Sequence, residues 1–188
     1  MLIDRSSMDP ALTCMESAQS FNWSREGDRL AAISSGREIF LEKHGNKYAV
    51  KGDLTENEAI RFFDLDCDYE GIFTKAAGMK YVWEAYGKLH GLRLMNQPPW
   101  DTLLMFICSS NNNTRRIRSL VLSLCERFGT VRKICGITAY GLPGKAEMSS
   151  ASVEELRAMK FGYRAEYLAK TALMIHEGFD LSHIAGLP

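Results

Sequence analysis

Two clusters of residues have types and spacing that can do chemistry. Between Thr114 and Lys133 the chain carries Arg115, Arg116, Arg118, Arg127, Arg132 and Lys133 against Glu126 alone, a local charge of +5. The run Asn111-Asn112-Asn113 stands directly before it. Arginines in a first helical turn put positive charge at the positive end of the helix dipole, a mild conflict that a nearby anion removes. Free backbone N–H groups, asparagine amides and arginines at one helix start together form a reader of phosphates or of base edges. On pattern alone, Asn113 as a plain cap with solvated or ion-paired arginines fits equally well. The second cluster is Phe161-Gly162-Tyr163-Arg164. A tyrosine beside an arginine at a helix start can stack on or wedge between flat rings while the guanidinium reaches a polar edge. It can also be a packed tyrosine with an arginine snorkelling to water.

The rest of the composition narrows the classes. The chain has 188 residues, 46% hydrophobic and 24% charged, which is the make-up of a folded globular protein with one or two domains. No apolar run approaches the roughly 20 residues that cross a bilayer. Cys14, Cys67, Cys108, Cys125 and Cys135 are odd in number and contain no C-x-x-C pair, so neither a disulfide framework nor a thiolate metal site is expected. His44, His90, His176 and His183 lack ligand spacing, and no metal is assigned. The overall charge is zero, yet residues 1–70 sum to −6 and residues 71–188 to +6, so the basic half is where an anionic partner belongs.

These clusters must be positioned by a sheet followed by helices. Short strands are expected over 12–15, 30–34, 38–42 and 48–51, separated by the turn formers Glu26-Gly27-Asp28, Ser35-Gly36 and His44-Gly45-Asn46. That pattern is an antiparallel meander. From Thr55-Glu56-Asn57-Glu58, a capping-box signature, the period becomes helical. Further helices are expected over 68–77, 79–88, 99–108, 113–128, 152–159 and 163–177. Ile117, Leu120, Val121, Leu124, Cys125 and Phe128 form one apolar stripe ending at Gly129, and Leu168 and Ile175 belong to another. The fold class is α+β: an antiparallel sheet unit over 1–85 with trailing helices, then an all-helical unit over 86–188.

The segments 107–113, with its Ser109-Ser110-Asn111-Asn112-Asn113 core, and Gly162-Tyr163-Arg164, together with the early Ala18-Gln19-Ser20-Phe21-Asn22-Trp23, resemble 8-oxoguanine DNA glycosylase/AP lyase of the helix-hairpin-helix superfamily. Phe63-Asp64-Leu65-Asp66 and Leu92-Arg93-Leu94 are similar to it as well, so the resemblance covers nearly the whole chain. It implies base-excision repair of oxidised guanine: a lysine amine attacks the sugar C1′, the oxidised base leaves, and the 3′ phosphate is eliminated through a Schiff base. The implied partner is double-stranded DNA containing oxidised guanine opposite cytosine, with no cofactor. Asn111, Arg116 and Arg164 match the residues that grip the orphaned cytosine, and Tyr163 matches the aromatic wedge. Ala18 falls where the family commonly has glycine, in the loop whose backbone carbonyl tests the N7 proton of the lesion; a carbonyl survives that change but the close approach is altered.

The family's hairpin, its attacking lysine and its assisting aspartate have no counterpart before Ala185-Gly186-Leu187-Pro188, so no catalytic residue is expected within these residues. Both apolar stripes are accordingly expected to want partners from beyond Pro188. The expected location is intracellular, cytoplasm or nucleoid in a prokaryote and nucleus in a eukaryote. Two other readings remain: a damaged-DNA binding module or short form that does not cut, and a structural or interaction protein whose arginines are a solvated face.

Overall fold

The computed structural model of the chain describes residues 1–76 and 78–186; Ala77, the last residue of the helix expected over 68–77, and Leu187-Pro188 lie outside the described residues. The strands are β1 (Leu2–Asp4), β2 (Ser24–Glu26), β3 (Arg29–Ser34), β4 (Arg37–His44), β5 (Lys47–Gly52), β6 (Thr130–Ile134) and β7 (Ile137–Gly141). The helices are α1 (Glu56–Phe62), α2 (Tyr69–Lys75), α3 (Lys80–Lys88), α4 (Pro99–Ser109), α5 (Thr114–Arg127), α6 (Lys145–Ser149), α7 (Val153–Ala158) and α8 (Arg164–His176). A sheet followed by helices is the expected α+β class. No helix among the described residues is long and apolar enough to cross a membrane.

The sheet runs β1-β5-β4-β3-β7-β6, with β2 also on β3. Strands β2 to β5, joined by tight turns, pair antiparallel in succession as the turn residues require, Ser34 opposite Arg37 and His44 opposite Lys47. The expected meander is therefore present, but the sheet does not end at β5. Residues 130–141, inside the span expected to be wholly helical, form the hairpin β6–β7, and β7 meets β3 in parallel through Ile33 and Gly141. Strand alternation explains what this covers: Leu30 and Ala32 enter the core beneath α1 with Trp23 and Phe63, whereas Ala31 and Ile33 face Ile134, Ile137 and Ala139. With both faces covered, β3 reads as an unbroken apolar run. Gly129 and Gly141 permit the seam, since a Cβ on Gly129 would stand 2.2 Å from the Gly141 carbonyl oxygen.

A second correction falls on residues 12–15, which are not a strand. Asp9 accepts the Leu12 N–H at 3.0 Å, Pro10 opens the first turn, and Leu12–Glu16 continue as a π-helix closed by the Ser17 N–H on the Leu12 carbonyl. The side chains of Leu12 to Met15 suit a strand, but a cap and a proline at the right offset commit the backbone to a helix.

The helical core gathers Phe21, Leu104, Leu120, Leu124, Phe161, Leu168 and Ile175. The stripe of α5 is buried as expected, from Ile117 to Cys125. Among the described residues α4, α5, α6, α7 and α8 bury most of both stripes, Leu124 and Leu168 fully, while Phe106 on α4 and Leu173 and Met174 on α8 stay exposed.

Candidate nucleic-acid interface

α4 gives way to α5 through residues 110–113, and the three asparagines there have different tasks. Asn113 caps α5 by accepting the Arg116 N–H at 2.9 Å. Asn112 donates to the Cys108 carbonyl at 3.0 Å and closes α4. Asn111 is exposed, its backbone left-handed at φ +46°, and its side-chain amide has no hydrogen-bond partner among the described residues. Asparagine tolerates that conformation better than most residues. The helix ends therefore account for two amides and leave the third facing outward.

The turn before α8 meets this loop. Lys160 and Gly162 are both left-handed, at φ +69° and +60°, which folds the chain sharply around the buried Phe161. The Tyr163 hydroxyl then donates to the Ser110 carbonyl at 3.1 Å. Arg164 donates to the same carbonyl through Nε at 2.9 Å and through a second nitrogen, and also to the Asn111 carbonyl at 3.2 Å. Its guanidinium carbon lies 4.5 Å from the Tyr163 ring centre. Arg164 is 8% exposed and Tyr163 50%, so the arginine is an internal strut and the tyrosine is the outward ring. Arg116 crosses from α5 to the Lys160 carbonyl at 2.7 Å. The fold thus brings Asn111, Arg116, Tyr163 and Arg164 to one rim. Beneath it, burial pushes the Cys108 thiol up to about 12 against the opposing pull of Arg164.

Ala18 stands on a separate loop. It is exposed at φ +57°, the left-handed region that glycine occupies freely, and among the described residues its carbonyl accepts no hydrogen bond. Its neighbours are tied down. Gln19 donates to the Arg93 carbonyl at 2.8 Å and accepts the Met95 N–H at 2.9 Å, while its own carbonyl accepts from Gln97 at 2.7 Å. The buried Asn22 donates to the carbonyls of Ile33 and Tyr140, both at 2.9 Å, across the seam between β3 and β7. Arg118 donates to the carbonyls of Phe21 and Trp23 at 3.2 and 2.6 Å.

The basic stretch of 114–133 is not one face. Arg127 pairs with Glu155 on α7, Arg132 on β6 lies 3.4 Å from Glu38, and Arg116 and Arg118 serve backbone carbonyls. Sequence reasoning named Arg118 and Asn22 within larger clusters but missed what they hold, and it missed the carbonyls of Ser110 and Lys160. Nothing in a sequence marks a carbonyl as an acceptor for a side chain 44 to 97 residues away. A cavity of about 710 Å³ lies between α2, α3 and the 89–94 segment, lined by Tyr69, Phe73, Tyr86 and Arg93, apart from all five candidate residues. Among the described residues no group of three or more His, Cys, Asp or Glu side chains could hold a metal ion.

Comparison with known proteins gives the family. Residues 2–103 match the family model described as 8-oxoguanine DNA glycosylase, N-terminal domain. The chain is 38% identical over 136 residues to the N-glycosylase/DNA lyase of Saccharomyces cerevisiae, covering 68% of this chain and 33% of that protein. The chain therefore spans about a third of that relative's length. Its fold is shared with a Clostridium acetobutylicum 8-oxoguanine glycosylase/lyase solved in complex with double-stranded DNA containing cytosine opposite 8-oxoG. There the TM-score is 0.85 at 23% identity, over 97% of this chain and 64% of that one. The match over residues 2–103 takes in more than half of the chain, strands β1 to β5 and the loop of Ala18 with it, and the chain belongs to the 8-oxoguanine DNA glycosylase family.

Proposed function

We propose that this chain is the lesion-recognising part of an 8-oxoguanine DNA N-glycosylase/AP lyase, acting in base-excision repair on double-stranded DNA that carries oxidised guanine opposite cytosine. The observation that carries the reading is the shared Ser110 carbonyl: Tyr163 and Arg164 both donate to it, which sets the exposed tyrosine ring beside the outward Asn111 amide. In this reading Tyr163 fills the emptied stack, and Asn111 with Arg116 hydrogen-bonds the orphaned cytosine, whose O2 and N3 accept and whose amine donates. Arg164 reaches the same base only by letting go of a carbonyl, so its first task is to shape the loop. The free Ala18 carbonyl is an acceptor of the kind that a protonated N7 satisfies. The attacking lysine of the family is not among these residues, and the Schiff-base chemistry belongs to the full-length relatives. The division into a sheet unit over 1–85 and a helical unit over 86–188 is part of the same proposal, the 130–141 hairpin seating the second on the first, as is an intracellular location where DNA is found.

The test is duplex binding by the purified chain across a salt series, with 8-oxoguanine opposite cytosine and opposite the other bases. Binding should weaken with a log-log slope of about −0.9 for each phosphate contact. Arg116→Ala should cost roughly 1 to 3 kcal/mol against cytosine and relax the preference for it. Binding indifferent to salt removes the reading, and an equal loss against every opposite base reduces Arg116 to a phosphate contact.

A further inference from the structure

Arg118 is the residue the proposed function leaves unused, and its position is unusual. It lies on α5 next to the buried Ile117 and two residues beyond Arg116, so it points away from the rim that Arg116 serves. Its half-buried guanidinium is committed to two carbonyls, those of Phe21 and Trp23. These two residues belong to different cores, Phe21 to the helical one and Trp23 to the one beneath α1. The loop that presents Ala18 therefore has two feet. One is Gln19 on the segment from Arg93 to Gln97; the other is the 21–23 backbone, held by Asn22 on the sheet and by Arg118 on α5. Immediately before the first foot, the exposed Ala18 keeps a backbone conformation that costs an L-residue roughly 1 to 2 kcal/mol and that only surrounding constraint maintains.

We propose that Arg118 is a positioning residue that fixes the lesion-testing loop of residues 17–23 to the same helix whose first turn reads the opposite base, and so sets discrimination between 8-oxoguanine and guanine. The inference rests on the proposed function for the identity of the two bases. Physically, one helix then carries both halves of the recognition: Asn113 and Arg116 at its start set the opposite-base rim, and Arg118 sets the depth of the Ala18 carbonyl. A guanidinium suits the task because its fork bonds two carbonyls two residues apart at once, which an ammonium cannot do with the same geometry.

The experiment compares wild-type chain, Arg118→Met and Arg118→Lys for binding to duplexes holding 8-oxoguanine or guanine opposite cytosine, alongside thermal melting and hydrogen exchange of the 16–24 region without DNA. The expected result for Arg118→Met is faster exchange in that region and a fall of about tenfold in the preference for 8-oxoguanine over guanine, the size of one lost hydrogen bond to a charged group. Affinity for the guanine duplex should be nearly unchanged. Arg118→Lys, which keeps the charge and the stem packing, should fall between. An unaltered preference in either variant that still folds overturns the proposal. So does an equal loss on both duplexes that tracks a lowered melting temperature, since that is a purely structural role. If wild type itself shows no preference, the functional reading fails with the inference; wild type retaining its preference while Arg118→Met does too fails the inference alone.

Discussion

Arg164 donates to the backbone carbonyl of Asn111 at 3.2 Å, so a buried cation on α8 holds the loop whose one unoccupied amide faces outward. The charge is balanced by carbonyls and not by an acid. Arg164→Ala strips the Asn111 carbonyl of its donor and leaves the Ser110 carbonyl with the Tyr163 hydroxyl alone, which should cost about 1 to 3 kcal/mol of stability. Arg164→Lys should recover part of this, because one ammonium serves one carbonyl well and the fork serves two. Urea unfolding of the three chains measures it; equal midpoints would mean that the buried guanidinium holds nothing.

Ala18 lies at φ +57° with its methyl in the exposed part of the loop. Relief of the left-handed strain by Ala18→Gly is worth roughly 1 to 2 kcal/mol, offset by about 0.4 to 1 kcal/mol for the greater freedom of glycine in the unfolded chain. The net expectation is a gain of about 0.8 kcal/mol, and Ala18→Val, β-branched at positive φ, should instead lose stability. Thermal melts of the pair give opposite signs if the loop is as described. A destabilising glycine would show that the tip prefers another conformation.

What the sequence disclosed and what it hid follow the range of the interactions. Thr55 with Glu58 and Asn113 ahead of the arginines are local signals: each closes a bond within three residues, and both caps form. The stripe from Ile117 to Cys125 is equally local in spacing. The β6–β7 hairpin is the opposite case. Val131, Arg132 and Lys133 are exposed, so β6 shows no alternation. What makes it a strand is the meeting of Ile134, Ile137 and Ala139 with Ala31 and Ile33, about a hundred residues earlier. The site divides the same way. The side chains at the rim were legible as types, whereas the carbonyls that orient them, at Ser110, Lys160, Phe21 and Trp23, have no side-chain signature.

Glu58 makes stability depend on pH. Hydrogen bonds from the Thr55 N–H and hydroxyl, and then the Arg37 guanidinium, hold its carboxyl at about 2 where 4.5 is ordinary. A folded-state value below the unfolded one means the stabilisation is complete above about 4.5 and is lost as the pH falls towards about 2. Glu58→Gln keeps one acceptor for the capping box but loses the charge. It should melt below wild type at pH 7, with the difference shrinking through that window. A gap that stays constant from pH 7 to pH 2 would assign the effect to the amide's geometry and not to the carboxylate.

The lysines of the helical part bear on whether this chain can form a covalent intermediate. A Schiff-base amine must be partly neutral at working pH, which requires a desolvated pocket or a neighbouring cation. Among the described residues Lys170 has neither: its ammonium lies 3.9 Å from Glu166 on α8 and its side chain is 78% exposed. Lys160 has its carbonyl fixed by Arg116 at the rim, where the reading places the cytosine and not the sugar of the lesion. Incubating the 188-residue chain with duplex holding 8-oxoguanine opposite cytosine, then reducing with borohydride, should therefore yield no protein–DNA adduct and no strand cleavage, while the same duplex is bound. An adduct mapped to Lys160 or Lys170 would show that a reactive amine is present after all and would move the chemistry into this chain. Binding without an adduct, followed by an adduct when a segment carrying the family's hairpin and lysine is supplied, would place recognition and chemistry on separable parts of one enzyme.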